Sequence, residues 1–145
     1  MKLIGVDYGR RRIGLAITDE TGTVVRGLAT LDRKKYPRAL ESIRAVIAGE
    51  RPEAAVQAVV FGLPLDADDR ETSMAAEIRK FAADLETSIH LPVYFIDESL
   101  TSKQAEKLLR FRKKKERRNK ATVDKIAACL ILEAFLREQK PTIAP

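Results

Sequence analysis

The sequence has very few of the residues that build disulfide-bonded, zinc-binding or membrane-spanning proteins. It contains one cysteine and one histidine among 145 residues. An internal disulfide is therefore excluded, and a zinc site or histidine-based catalysis has no support. No apolar run approaches the roughly 18 residues of a membrane helix. Gly5 and Asp7 interrupt the N-terminal apolar stretch too early for a signal peptide, so we expect a cytoplasmic protein without a membrane partner.

Several familiar catalytic motifs are also missing. Neither a Gly-x-Ser-x-Gly nucleophile elbow nor a P-loop occurs in the chain. The single thiol, Cys129, follows two alanines on a predicted helix, where core packing is the more common role of a cysteine. What remains is a basic chain with a net charge of +6 and a pI near 9.6, which favours a polyanionic partner.

The hydrophobic pattern predicts one α/β domain over residues 1–140, followed by a frayed tail at 141–145. Three short strands joined by tight turns predict an antiparallel meander, and the strands after them alternate with helices, which predicts parallel pairing. The expected fold is therefore a mixed five-stranded sheet flanked by helices. The predicted strands are 2–6, 13–18, 24–31, 57–62 and 92–96, and the predicted helices begin near residues 37, 72, 101 and 122.

Carboxylates stand at the ends of several of these elements. Asp7 ends the first strand, Asp97 and Glu98 end the fifth, and Asp124 lies in the predicted first turn of the last helix. Functional groups of open α/β sheets collect at the carboxyl ends of strands, so Asp7 and Glu98 converge if their strands are close. Grouped carboxylates repel one another unless a cation joins them, and hard oxygen ligands select Mg²⁺ or Mn²⁺. Such ions catalyse phosphodiester hydrolysis.

Each of these acids also has an ordinary structural interpretation. Asp7 before Tyr8 and Gly9 is typical of a turn, and Asp124 suits the N-terminus of a helix. Glu98 would then be a surface acid that follows a strand. The joint placement of all three at element ends favours a shared site.

Four ordered segments resemble the YqgF family of nucleases, also called RuvX-like. They cover nearly the whole chain and read GVDYGRRRIGLA from Gly5, VVFGLPL from Val59, VYFIDESLT from Val93 and KATVDKIAA from Lys120. The resemblance implies an RNase H-like fold and a divalent-metal nuclease that matures the 5′ end of 16S ribosomal RNA or resolves Holliday junctions. By residue match, Asp7, Glu98 and Asp124 take the family's acidic, metal-binding and catalytic positions, with Asp97 the next acid in line.

The chain departs from the family pattern in two places. Ser99 stands where an arginine usually follows the Asp-Glu pair, and an arginine there would contact a carboxylate or a phosphate. The loop after Leu65 lacks the expected glycine and carries Asp66, Asp68 and Asp69. These three acids would suit a metal, but a solvated acidic loop is the more common structure.

Two basic segments are candidates for binding the nucleic-acid backbone. One directly follows Asp7, and the other precedes Asp124, with a solvated charged loop as the alternative for both. Phe111 offers one stacking surface in the second segment, or a hydrophobic anchor. The predicted nucleic-acid-binding residues are Arg10, Arg11, Arg12, Arg112, Lys113, Lys114, Lys115, Arg117, Arg118 and Lys120.

Two other classes of function remain open. The hairpin that follows Asp7 also resembles the phosphate-binding hairpin of actin, Hsp70 and sugar kinases, although those proteins close two domains over ATP. A catalytically inactive nucleic-acid-binding protein is the other alternative. The sequence does not distinguish precursor rRNA from branched or single-stranded DNA as the substrate, nor a monomer from a homodimer.

Overall fold

The computed structural model describes residues 1–49, 55–97 and 120–139. In chain order its strands are β1 (Leu3–Asp7), β2 (Arg12–Thr18), β3 (Val25–Asp32), β4 (Ala58–Leu63) and β5 (Val93–Asp97). Helix α1 (Ala39–Ala48) connects β3 with β4, α2 (Ser73–Ile89) connects β4 with β5, and α3 (Lys120–Gln139) is the last described helix. Within these ranges the element order agrees with the sequence prediction, and most predicted boundaries fall within two residues of the observed ones.

The five strands form one mixed sheet in the order β3-β2-β1-β4-β5. β1 pairs antiparallel with β2, and β2 with β3, whereas β1 with β4 and β4 with β5 are parallel. The predicted α/β fold, with three antiparallel strands followed by parallel β-α units, is therefore confirmed. Because β4 lies between β1 and β5, the carboxyl ends of the two acid-bearing strands are two strand spacings apart, or roughly 10 Å.

Two apolar clusters cover the opposite faces of the sheet. The larger one joins α1 and α2 to alternate strand residues that include Ile4, Val6 and Phe61. The smaller one joins α3 to the intervening residues, among them Leu3 and Ala16. Side chains of a strand alternate between faces. Asp7 therefore shares the α3 face with Leu3 and Gly5.

Glycines let α3 lie directly on the sheet. A Cβ added to Gly5 would come within 2.9 Å of the Ala128 carbonyl oxygen, and one added to Gly14 within 2.1 Å of the Asp124 carbonyl oxygen. Real Cβ atoms essentially never come closer than 3.0 Å, so only glycine permits this approach. Thr30 in β3 fixes the start of the helix, because its hydroxyl donates to the Ala121 carbonyl at 2.6 Å.

Two predicted features of the C-terminal half lie outside the described residues. The helix predicted to begin at Thr101 and the tail at 141–145 lie outside the described ranges. No helix in the described part of the chain is long and apolar enough to cross a membrane. The last helix already includes Lys120, two residues before the predicted start near Thr122, and Asp124 lies beyond its first turn.

Candidate active site

Asp7 is held at the rim of the sheet by the central strand. It is the last residue of β1 and is half-buried, on the face that α3 covers. Its backbone is in register with Gly14 of β2. β1 lies between β2 and β4 in the sheet, so the strand that carries Asp7 is paired on both sides.

Asp124 reaches the same rim from α3. Its backbone lies against Gly14, and its Cβ would be only 3.0 Å from a Cβ at that glycine. Directly opposed residues of antiparallel strands have Cβ atoms about 4.5–5.5 Å apart, so the Cβ atoms of Asp7 and Asp124 lie within about 8.5 Å of each other. The structure therefore brings together two of the three acids that the sequence singled out.

The position of Asp124 in its helix argues against the simpler interpretation of this residue. An acid stabilises a helix through the macrodipole mainly within the first turn, and no acidic residue lies in the first turn of α3. The prediction that Asp124 belongs to that turn is wrong, because the helix already includes Lys120, two residues before the start that the sequence pattern indicated. Helix capping does not explain this aspartate.

Arg12 makes a direct ion pair with Asp124. Its Nε donates to Oδ2 of the aspartate at 2.8 Å, and the two side chains are 27% and 19% exposed. Partial burial makes such a charge-assisted bond stronger than a surface pair. Arg12 was predicted from the sequence to bind nucleic acid. In this structure its guanidinium holds the Asp124 carboxylate and compensates its charge, and its binding of nucleic acid stays a prediction.

The hairpin between β1 and β2 is fixed by contacts from outside it. The Arg33 guanidinium donates to the Tyr8 hydroxyl at 3.0 Å and to the Gly9 carbonyl at 3.2 Å, and it lies over the Tyr8 ring. The Tyr8 ring packs on Phe81 of α2. Arg10 pairs with Glu77 at 3.2 Å on the exposed side. Arg11 is exposed, so the three consecutive arginines have three different environments.

Of the two acids at the end of β5, the structure describes only Asp97. Val93 and Phe95 face the α1 and α2 side of the sheet, and Tyr94 packs on Phe135 of α3. By alternation Asp97 belongs with Val93 and Phe95, on the face opposite to Asp7. This makes Asp97 a poor substitute ligand. Glu98 lies outside the described residues, as does Ser99, and its role stays a sequence prediction.

The acidic loop after β4 has a structural role for its first aspartate. Oδ1 of Asp66 accepts the backbone N–H groups of Asp68 and Arg70 at 2.8 and 3.0 Å. Asp69 adopts a left-handed conformation with φ of 58°. All three acids are exposed. This geometry agrees with the solvated loop that the sequence favoured over a metal site.

Most of the predicted basic segment cannot be compared with the structure. Lys120 is the first residue of α3, and only its backbone is described. The other members lie in 98–119, outside the described ranges, as does Phe111. They are Arg112, Lys113, Lys114, Lys115, Arg117 and Arg118.

The donors present suit a hard divalent cation. Within the described ranges no group of three or more His, Cys, Asp or Glu side chains could hold a metal ion. Asp7 and Asp124 supply two carboxylates at one rim, and a third ligand would have to come from elsewhere, with Glu98 the sequence candidate. Carboxylate oxygens without histidine or thiolate select Mg²⁺ or Mn²⁺ over softer metals.

Cys129 lies on α3 away from this rim. Burial and the nearby Glu133 carboxylate raise the pKa of the thiol from 9.0 to about 11. The thiolate is the reactive form, so this cysteine is inert near neutral pH. It is half-buried and lines a cavity of about 320 Å³ between α3 and β3, which agrees with the predicted packing role only in part.

Sequence reasoning missed two features of the site. One is the pairing of Arg12 with Asp124, which unites residues 112 positions apart in the chain. The other is the role of Gly14 as the contact point between β2 and α3. A glycine inside a predicted strand is a known sign of close backbone approach, and this was the signal available.

Comparisons with known proteins agree with the sequence resemblance. The sequence profile described as "RuvX: Holliday junction resolvase" matches residues 1–138. A protein of Crocosphaera subtropica is 38% identical over 140 residues, covering 97% of this chain and 95% of its own length. A protein of Synechococcus elongatus is 39% identical over 137 residues, covering 94% and 89%. Both bear the name "Putative pre-16S rRNA nuclease".

Solved structures show the same fold at lower identity. RuvC of Thermus thermophilus, in complex with a Holliday junction substrate, matches with a TM-score of 0.58 and 19% identity over 96% of this chain and 97% of that one. A second RuvC structure matches with a TM-score of 0.56. The expected RNase H-like fold is thereby confirmed.

Proposed function

Because the chain belongs to the RuvX family of nucleases, we propose that it cuts the 5′ end of precursor 16S ribosomal RNA in the cytoplasm, with Mg²⁺ or Mn²⁺ as cofactor. The single observation that carries the catalytic part is the convergence of Asp7 and Asp124 on Gly14 at one rim of the sheet. The names of the relatives support the choice of RNA. These relatives match nearly the whole of this chain.

The proposed metal ligands are Asp7, Asp124 and Glu98. Asp7 is fixed by the strand and Asp124 by the seating of α3 on Gly14, so two of the ligands need little rearrangement on binding. Such preorganisation is worth a large part of a catalytic barrier. Bound there, the cation would supply Lewis-acid stabilisation and an activated water for phosphodiester hydrolysis.

The surrounding arginines have separate roles in this proposal. Arg12 keeps the Asp124 carboxylate in place and compensates its charge before metal arrives. Arg11, exposed on the hairpin next to Asp7, is positioned to contact a phosphate of the substrate backbone. Arg10 would have to leave Glu77 to do the same.

Resolution of Holliday junctions is the alternative activity, because the family description bears that name. A resolvase cuts two strands symmetrically and needs two active sites, which implies a homodimer. Trimming an RNA end needs only one site and suits a monomer as well. Nucleotide binding through the Asp7 hairpin is a further alternative, and a thermal shift with ATP and Mg²⁺ tests it.

The decisive experiment compares cleavage of precursor 16S rRNA ends, single-stranded RNA, duplex DNA and a Holliday junction by wild type and Asp7→Asn. We expect Mn²⁺-dependent cleavage of the rRNA precursor. A neutral amide is a poor ligand for a hard dication. Asp7→Asn should therefore lose at least about 100-fold in rate, more than outer-shell changes typically cost, while keeping its fold.

Asp84→Asn is the matched control, because Asp84 is an exposed aspartate on α2. It should cleave at the wild-type rate. Full activity of a folded Asp7→Asn protein would refute the carboxylate site. Preference for the junction over the rRNA precursor would replace the proposed substrate but leave the site intact.

A further inference from the structure

The segment that connects β3 with α1 carries a concentration of positive charge that the carboxylate site does not use. We infer that this Arg33–Arg38 segment is a binding surface for an unpaired strand of the nucleic-acid substrate, with Tyr36 as a stacking platform for a base. The inference rests on the proposed nuclease function. It gives a binding surface to the part of the substrate strand that lies next to the bond that is cut.

The segment leaves the sheet at the same rim as Asp7. Asp32, the last residue of β3, is in register with Arg12, and the Arg33 N–H donates to the Arg11 carbonyl at 2.9 Å. Asp7 and Thr30 are each in register with Gly14, from its two sides. The strand that feeds the segment is therefore two strand spacings, or roughly 10 Å, from the proposed metal site.

Asp32 shapes the segment through its backbone carbonyl and its carboxylate. Its carbonyl accepts the N–H groups of Lys35 and Tyr36 at 3.1 and 2.8 Å, and its Oδ1 accepts that of Lys34 at 2.9 Å. The aspartate carboxylate is thus engaged with the turn. The turn leaves the side chains of Lys34, Lys35 and Tyr36 exposed to solvent.

Arg33 anchors the segment to the hairpin that follows Asp7. Its guanidinium contacts the Tyr8 hydroxyl and the Gly9 carbonyl, so it is half-buried and structural. Arg38 pairs with Glu41 across 3.5 Å on an exposed surface, which is a weak interaction. The positive charge left for a ligand belongs to Lys34 and Lys35, with Arg11 next to them.

Tyr36 has an environment that favours stacking on a ligand. Its side chain is 49% exposed, and Lys34 and Lys35 precede it directly. Pro37 restricts the backbone of Tyr36 to extended conformations and so limits the directions of the ring. Basic side chains that follow a backbone, together with an aromatic ring for a base, are the features of single-strand binding sites.

The absence of tryptophan from the sequence allows a direct test. Tyr36→Trp gives the full chain a single tryptophan at the proposed platform. Its fluorescence is titrated with oligouridylate, with an abasic oligonucleotide of equal length and with inorganic polyphosphate, all in EDTA to prevent cleavage. Tyr94→Trp is the matched control, because Tyr94 is 45% exposed but lies on β5, at the opposite edge of the sheet.

Stacking predicts that oligouridylate quenches Tyr36→Trp, that the abasic strand and polyphosphate do not, and that Tyr94→Trp is unaffected. Tyr36→Ala should weaken binding at least about five-fold, the low end for loss of one stacked base, and Tyr36→Phe should restore it. Removing Lys34 or Lys35 should lower the salt slope by about 0.7 each, and Lys80→Ala on α2 should not.

Equal quenching by polyphosphate would show a charge contact without a base and overturn the stacking role. An unchanged fluorescence at saturating oligouridylate, or no binding by anisotropy, would overturn the inference altogether. Cleavage by the wild type is measured in parallel. Quenching without cleavage would refute the proposed nuclease function but keep the binding surface. Cleavage without quenching would refute the binding surface but keep the nuclease function.

Discussion

Replacing Gly14 with alanine perturbs the candidate site through packing alone, because no charged or metal-binding group is changed. The added Cβ would stand 2.1 Å from the Asp124 carbonyl oxygen and 2.5 Å from its carbonyl carbon. Both atoms belong to the backbone of α3 and cannot rotate away. Since real Cβ contacts stay beyond 3.0 Å, the helix must move away from the sheet by about 0.9 Å.

A displacement of this size has two measurable consequences. Overpacking of a tight contact typically costs about 1–3 kcal/mol of unfolding free energy. For a chain of this length that corresponds to a melting temperature lower by roughly 3–12 °C. The same movement carries Asp124 away from Asp7, and a misplacement near 1 Å can lower a catalytic rate about 100-fold.

Gly27→Ala is the control for these measurements. Its added Cβ would lie 3.1 Å from the Lys125 Cβ, with no backbone atom among its three nearest contacts, so a shift of a few tenths of an ångström would relieve the contact. We therefore expect Gly27→Ala to stay within about 0.5 kcal/mol of wild type, the usual range for surface substitutions. Urea unfolding and single-turnover cleavage are measured for both variants. Wild-type stability and cleavage in Gly14→Ala would refute the claim that this contact positions Asp124.

Three further predictions concern an ion pair, a thiol and the basic segment. Arg12→Gln should destabilise the metal-free protein by about 1.5–3 kcal/mol, typical of a hydrogen bond to a charged group. It should also enlarge the rise in melting temperature on adding Mn²⁺, because the guanidinium that competes for the Asp124 carboxylate is gone. A rise equal to that of wild type would contradict this prediction. Cys129, with a pKa of about 11, should react slowly with iodoacetamide at pH 8 and faster only as the pH approaches 11, whereas rapid reaction of the folded chain at pH 8 would show a different environment. Replacing Lys113, Lys114 and Lys115 with alanine should lower the salt slope of nucleic-acid binding by about 0.7–0.9 per lost phosphate contact and leave the single-turnover rate at saturating substrate unchanged; parallel slopes with equal affinities would mean that these lysines never touch the substrate.

The sequence predicted the fold well because its elements carry strong local signals. Short apolar runs bounded by turn residues indicated the strands, and helical spacing of residues such as Ile43 and Ile78 indicated the helices that cover them. The last helix was harder to interpret. Its apolar residues lie nearly all round it, since one side packs on the sheet and Ile126 with Cys129 lines a cavity against β3.

The candidate site was predictable only in part, because its geometry depends on pairing between distant elements. Asp7 and Asp124 could be singled out as acids near element ends. Their convergence required the contact at Gly14, and a glycine within a strand indicates a close backbone approach without indicating which element approaches. The ion pair of Arg12 with Asp124 depends on the same contact. Likewise, the alternation of side chains along β5 places Asp97 on the face opposite to the site, but this could be recognised only from the register of the sheet.

The central claim is that Asp7 and Asp124 together hold the divalent cation of a nuclease. Calorimetric titration of Mn²⁺ into wild type, Asp7→Asn, Asp124→Asn and the control Asp84→Asn tests it without a substrate. We expect both Asp7→Asn and Asp124→Asn to lose at least about ten-fold in Mn²⁺ affinity, and Asp84→Asn to bind as wild type does. Wild-type affinity in a folded Asp124→Asn protein would contradict the account, since α3 would then contribute nothing to the metal site.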